Sequence, residues 1–234
     1  MAAIEDFIGR IKRDKALVML MGDLTENAII GSVGGVMEQT MSPRDQVLKV
    51  CEILEPIKDQ IIGGVMGNHG ARTVKVASLN PDEIICYNLG AKFLGSVAVG
   101  RIRVGASTDW RIMVHHGVGG GALLGSKLNV LAERMTKVVP IADLYLAGHT
   151  HADVAGSDTR PTIALNSGRV VISNIRRHFS GTGSLLDYEG YPEHMLLPPA
   201  SKVQIYHHLG ERKHVSRDGD ERFRKQYRRQ PFFY

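Results

Sequence analysis

The sequence predicts a layered α/β fold, on two observations. Over the first 150 residues, segments with helical apolar spacing alternate with short apolar runs that read as buried strands. Beyond them, Val, Ile and Thr content punctuated by Gly, Ser and Pro favours more strands, and so a second sheet packed against the first. Taken in order, Ile4, Phe7, Ile8 and Ile11 lie on one helical face, and the run 16–21 follows as a strand. Ser42-Pro43 followed by Asp45 is a helix start, with Val47, Val50, Cys51, Leu54 and Ile57 as the apolar stripe. A short strand is expected over 61–66, a helix opened by Asn80-Pro81 and closed near Gly90, and β-structure around 93–104 and 111–114. Residues 127–137 read as a helix, 144–147 as a strand, and 153–208 as further strands.

The 234 residues, 43% of them hydrophobic, suffice for one sizeable core. No stretch approaches the roughly 18–20 apolar residues of a membrane span, and 1–15 lacks the apolar region of a signal peptide. A cytoplasmic location with no membrane partner is expected. Cys51 and Cys86, without Cys-x-x-Cys spacing, read as core fillers. The net charge of +5 is concentrated: residues 212–229 hold eight Lys or Arg against three acids, and the remainder is nearly neutral. The body of the protein is therefore no nucleic-acid-coating surface. The division expected is 1–208 as the domain and 209–234 as a basic, solvated tail, whose interleaved basic and aromatic residues also suit single-stranded nucleic acid.

Four apolar runs end in groups of polar residues: Gly22-Asp23, Gly67-Asn68-His69, His115-His116 and Gly148-His149-Thr150-His151. In open α/β sheets, ligands bind outside the carboxyl ends of strands, so these segments are placed to converge on one site. Carboxylate, amide oxygen and imidazole together suit Mn²⁺, Fe²⁺ or Zn²⁺; calcium wants oxygens only and structural zinc wants thiolates. The Gly120–125 spacing imitates a phosphate loop, but Ser126-Lys127 stands in the reverse of the required order. The glycines from 117 to 121 read instead as a loop bordering the site.

The ordered series Gly-Asp, Gly-Asn-His, His-His and Gly-His-Thr-His, spanning 22–151, resembles the calcineurin-like metallophosphoesterase family. The resemblance implies a four-layer sandwich, two mixed β-sheets flanked by helices. It also implies hydrolysis of phosphomono- or diester bonds by a metal-held hydroxide, with two divalent ions in the complete protein. Asp23 would bridge the metals, while Asn68, His115 and His149 would complete the second metal's shell and His151 would ligate the first metal. His116 is the alternative to His115. His69 would stabilise the phosphate or protonate the leaving oxygen, and Gly120, Gly121 and Arg177 are weaker candidates for substrate contact. A nuclease of the same family and a catalytically inactive metal-binding remnant are the alternative readings.

Two departures qualify this resemblance. Members of the family open with a strand ending in Asp-x-His, and no Asp-x-His occurs here, so an N-terminal truncation, an exposed neighbouring strand and one better-kept metal position are expected. Gly70 stands where the family often has an acidic residue. The segment from Gly183 to Pro199 and the glycine-rich stretch after His116 are similar to phage-encoded members, which would place the protein in a host cytoplasm.

Overall fold

A computed structural model of the chain describes residues 2–32, 36–119, 123–166, 168–185, 202–215 and 221–233. The first helix, α1 (Ala2–Asp14), leads into β1 (Val18–Leu20). Helix α2 (Pro43–Leu54) begins where the sequence predicts, with the Ser42 side chain accepting from the Asp45 amide and Pro43 in the first turn. β2 (Ile61–Gly64) follows, then α3 (Gly70–Ala77), which the periodicity did not reveal, and α4 (Pro81–Asn88), capped by Asn80. The chain continues through β3 (Val97–Val104), β4 (Thr108–His115), α5 (Leu124–Val138), β5 (Leu144–Ala147), β6 (Val154–Asn166) and β7 (Arg169–Gly181). It ends in β8 (Val203–Val215) and β9 (Glu221–Phe233).

A five-stranded mixed sheet of order β3-β4-β5-β7-β6 forms the centre. β4, β5 and β7 run parallel, and β3 and β6 close the two edges antiparallel. Alternation along the inner strands gives the sheet two apolar faces, the pattern of a strand buried on both sides. Met113, Tyr145, Ala147 and Phe179 pack under α5 through Leu131 and Met135. On the other face Trp110, Ile112, Val114 and Leu144 meet Met19, Met21 and Val65 from the parallel pair β1-β2. That pair turns Leu20 and Ile61 outward onto α2 and α4, where Val47, Ile85 and Cys86 close a third cluster. The layers are thus helix, small sheet, large sheet, helix, a mixed α/β sandwich.

The second β-layer comes in two pieces. Besides β1-β2, the antiparallel hairpin β8-β9 lies on the same face of the large sheet, with Leu209 and Tyr227 in the same cluster as Trp110. This corrects the expected tail: the 208/209 boundary falls inside β8, and 221–233 is a paired strand. Its inward positions alternate with outward ones within a basic run, so charge content conceals the pattern. Lys225 and Arg229 turn inward with Tyr227, onto Asp143 (2.5 Å) and Asp153 respectively.

Candidate metal centre

β1, β2, β4 and β5 deliver their following residues to one edge of the two β-layers. The loops after β1 and β2 touch: a Cβ on Gly22 would stand 2.5 Å from the Gly67 amide nitrogen, so only glycine permits this approach. Asp82, almost wholly buried, fastens both loops by accepting from the Gly67 amide at 2.8 Å and the Leu24 amide at 3.2 Å. Burial pushes its carboxyl above the usual range, against those two amides. The sequence shows Asp82 only as a first-turn acid behind the Asn80-Pro81 cap, which is why its role went unseen. The same carboxylate explains Gly70, since a Cβ there would lie 2.8 Å from Asp82 Oδ2.

With the loops held, Asp23 spends Oδ1 on the His69 amide at 2.7 Å and turns Oδ2 to His116 Nε2 at 3.0 Å. Asn68 Oδ1 lies 3.0 Å from the same nitrogen and 2.8 Å from His149 Nδ1, and the two imidazoles approach at 3.3 Å. Carboxylate, amide oxygen and two ring nitrogens therefore share one small volume. Ligand atoms of Asp23, His116 and His149 fall within 4.8 Å of one another. His116 Nδ1 sits 2.7 Å from the Met21 carbonyl, which only accepts, so the proton belongs on Nδ1 and Nε2 presents a lone pair inward. Four lone-pair carriers pointing together repel unless a cation lies among them. The donor set fits a borderline divalent ion.

Burial opposes charge on His116, but the Asp23 carboxylate holds its imidazole above the ordinary value. Burial likewise opposes the Asp23 charge, yet His116 and the His69 amide keep that carboxyl below its ordinary value. Burial and the neighbouring His116 push His149 down, leaving its ring neutral and able to donate a lone pair. Backbone strain gathers at the same place: Asp23, His149 and His151 all have φ between 50° and 65°, the left-handed region that non-glycine residues seldom adopt.

The geometry brings His116, the alternative, and not His115 into this group. Alternation along β4 sends Val114 and His116 to the face shared with β1, whereas His115 accepts the Gly117 amide on its Nδ1 at 2.8 Å. His151, half-buried and kept neutral mainly by burial, stands outside the group of converging ligand atoms among the described residues. His69 sits on the rim, with Nε2 at 3.8 Å from Asp23 Oδ2 and Nδ1 at 3.5 Å from Glu26. Its carbonyl accepts from buried Asn27 at 2.7 Å. Arg177 is not brought here. It lies near Asp143, at the opposite end of the sheet from His149, and its guanidinium is buried against Asp158. Gly120 and Gly121 lie outside the described residues.

Neither a family model nor a curated protein matches the chain. Among solved structures it is similar to a conserved uncharacterized protein, a predicted phosphoesterase, from Streptococcus pneumoniae TIGR4. That match has 14% identity and a TM-score of 0.35 over 78% of this chain and 91% of the other. It is also similar to a double mutant of Vps29 from Entamoeba histolytica, at 14% identity and a TM-score of 0.32 over 78% of this chain and 87% of that one. Among the described residues, no helix is long and apolar enough to cross a membrane.

Proposed function

We propose that this protein is a metal-dependent phosphoesterase whose site is the cluster of Asp23, Asn68, His116 and His149. The observation that carries the reading is the convergence on His116 Nε2 of Asp23 Oδ2, Asn68 Oδ1 and His149 Nδ1, all within 3.3 Å. A divalent ion held by these four residues supplies Lewis-acid neutralisation of charge on phosphate oxygens. The remaining work falls to the chain itself. Asp82 and the paired glycines hold the ligand loops rigid before substrate arrives. His69, with Glu26 near Nδ1, is the group placed to hand a proton to a leaving oxygen or to hydrogen-bond the phosphate. His151 borders the same edge and is a neutral imidazole available to substrate or to a second ion.

The test is hydrolysis of an aryl phosphodiester with Mn²⁺ by the parent chain and by His149→Ala, with bound metal counted in both. Turnover and bound metal that are both lost in the variant support the reading. Metal bound without turnover leaves the inactive-remnant alternative, and absence of bound metal removes the site. A polynucleotide substrate is the second arm, since Arg224 and Arg228 are exposed on β9; cleavage of single-stranded DNA would identify it.

A further inference from the structure

The two pieces of the second β-layer do not meet. Between them lies a cavity of about 870 Å³, bounded on one side by β1 and on the other by residues 204–209 of β8. Its floor is the large sheet, through Ala98, Ile102, Ile112 and Val114, and its outer wall is α1, through Phe7 and Ile11. Each flanking strand has one neighbour in its sheet among the described residues, β2 for β1 and β9 for β8, so each brings an open edge to this layer. The Leu20 carbonyl accepts from the Val65 amide on the β2 side. Alternation then directs the amide and carbonyl of Met19 the other way, into the cavity.

The dimensions of the cavity suit a strand. A strand advances about 3.3 Å per residue, neighbouring strands stand about 4.8 Å apart and stacked sheets about 10 Å, giving roughly 160 Å³ per residue and room for about five residues. Fatty chains would fill the apolar space but leave the Met19 backbone groups unmatched, and a buried polar group without a partner is unfavourable. An extended peptide supplies both the bulk and the hydrogen bonds. We propose that this cavity is a strand slot, which takes an extended peptide segment of about five residues, apolar on both faces, paired along β1. Filling it joins the parallel pair and the hairpin into one continuous sheet. This inference is independent of the metal chemistry, although the slot ends at Met21, whose carbonyl orients His116.

The experiment titrates the full chain with a lysine-flanked peptide of five β-branched residues, its backbone N-methylated counterpart, and dodecanoate. Amide hydrogen exchange is followed at 17–21 and 204–209. The parent peptide is expected to bind and to slow exchange at both edges at least tenfold, while the N-methylated peptide, lacking donors, does neither. Gly100→Leu, placed on the floor where a Cβ meets nothing within 4 Å, is expected to block binding while the chain remains folded by circular dichroism. Equal binding of both peptides, dodecanoate binding in place of the peptide, or binding that survives Gly100→Leu overturns the proposal, as does a failure of the parent peptide to bind.

Discussion

The candidate metal cluster and the basic hairpin are both dense in polar and charged side chains, but their balance differs. On β9, Lys225 meets Asp143 at 2.5 Å, Arg229 meets Asp153, and Asp143 also takes a paired contact from Arg111 at 2.9 Å. Inward cations there face acids, and the charges are used up in closing the fold. At the cluster, acceptors face acceptors: a carboxylate, an amide oxygen and two imidazoles meet. A balanced set holds structure together, whereas an unbalanced one is a site awaiting a ligand. Two cations of the richest run of charge in the sequence, Lys225 and Arg229, thus prove structural, and an inconspicuous series of single polar residues makes the candidate centre.

The contrast can be broken hardest at Asp23. Asp23→Asn removes the one formal negative charge of the cluster, and metal affinity is expected to fall by more than about 100-fold, beyond the loss from an outer partner; calorimetry with Mn²⁺ measures it. Asp82→Ala strips two loop amides of their acceptor and should destabilise the fold by about 2–4 kcal/mol in urea unfolding, with metal binding weakened alongside. Asp143→Asn, in the balanced region, is expected to cost about 1–2 kcal/mol because Arg111 and Lys225 keep partial access to water, and to leave metal affinity unchanged. A loss of metal binding in that variant would show that the two regions are coupled.

A separate effect concerns pH. His207 is desolvated at the hairpin, facing Tyr227, and with Arg229 nearby its imidazole is pushed from 6.5 down to about 3. Its folded value lies below its unfolded one, so the stability it contributes is complete above 6.5 and is lost as pH falls toward about 3. Replacing it, as in His207→Gln, should flatten the unfolding free energy over that window. An unchanged slope would mean that the ring is solvated in the folded chain.

Much of the fold was legible in local pattern. Ser42-Pro43 and Asn80-Pro81 announce α2 and α4 because caps act within one turn, and the run 144–147 is β5 itself. Helix α3 was missed because it follows directly on the ligand turn, and β9 because its alternation hides among basic residues. For the centre, the segments after four strands were readable as motifs, and Asp23, Asn68 and His149 converge as expected. Arg177 shows the limit of residue type as a guide, since a basic residue suited to phosphate lies at the far end of the sheet.

By itself, the sequence determined which residue types are available and where strands end, since both follow from neighbours a few positions apart. Only the tertiary structure decided between His115 and His116, because one step along β4 moves a side chain to the opposite face and nothing local says which face meets β1. The same is true of Asp82, whose partners Leu24 and Gly67 lie 58 and 15 residues away, and of the gap beside β1, which exists only where two sheets are laid together.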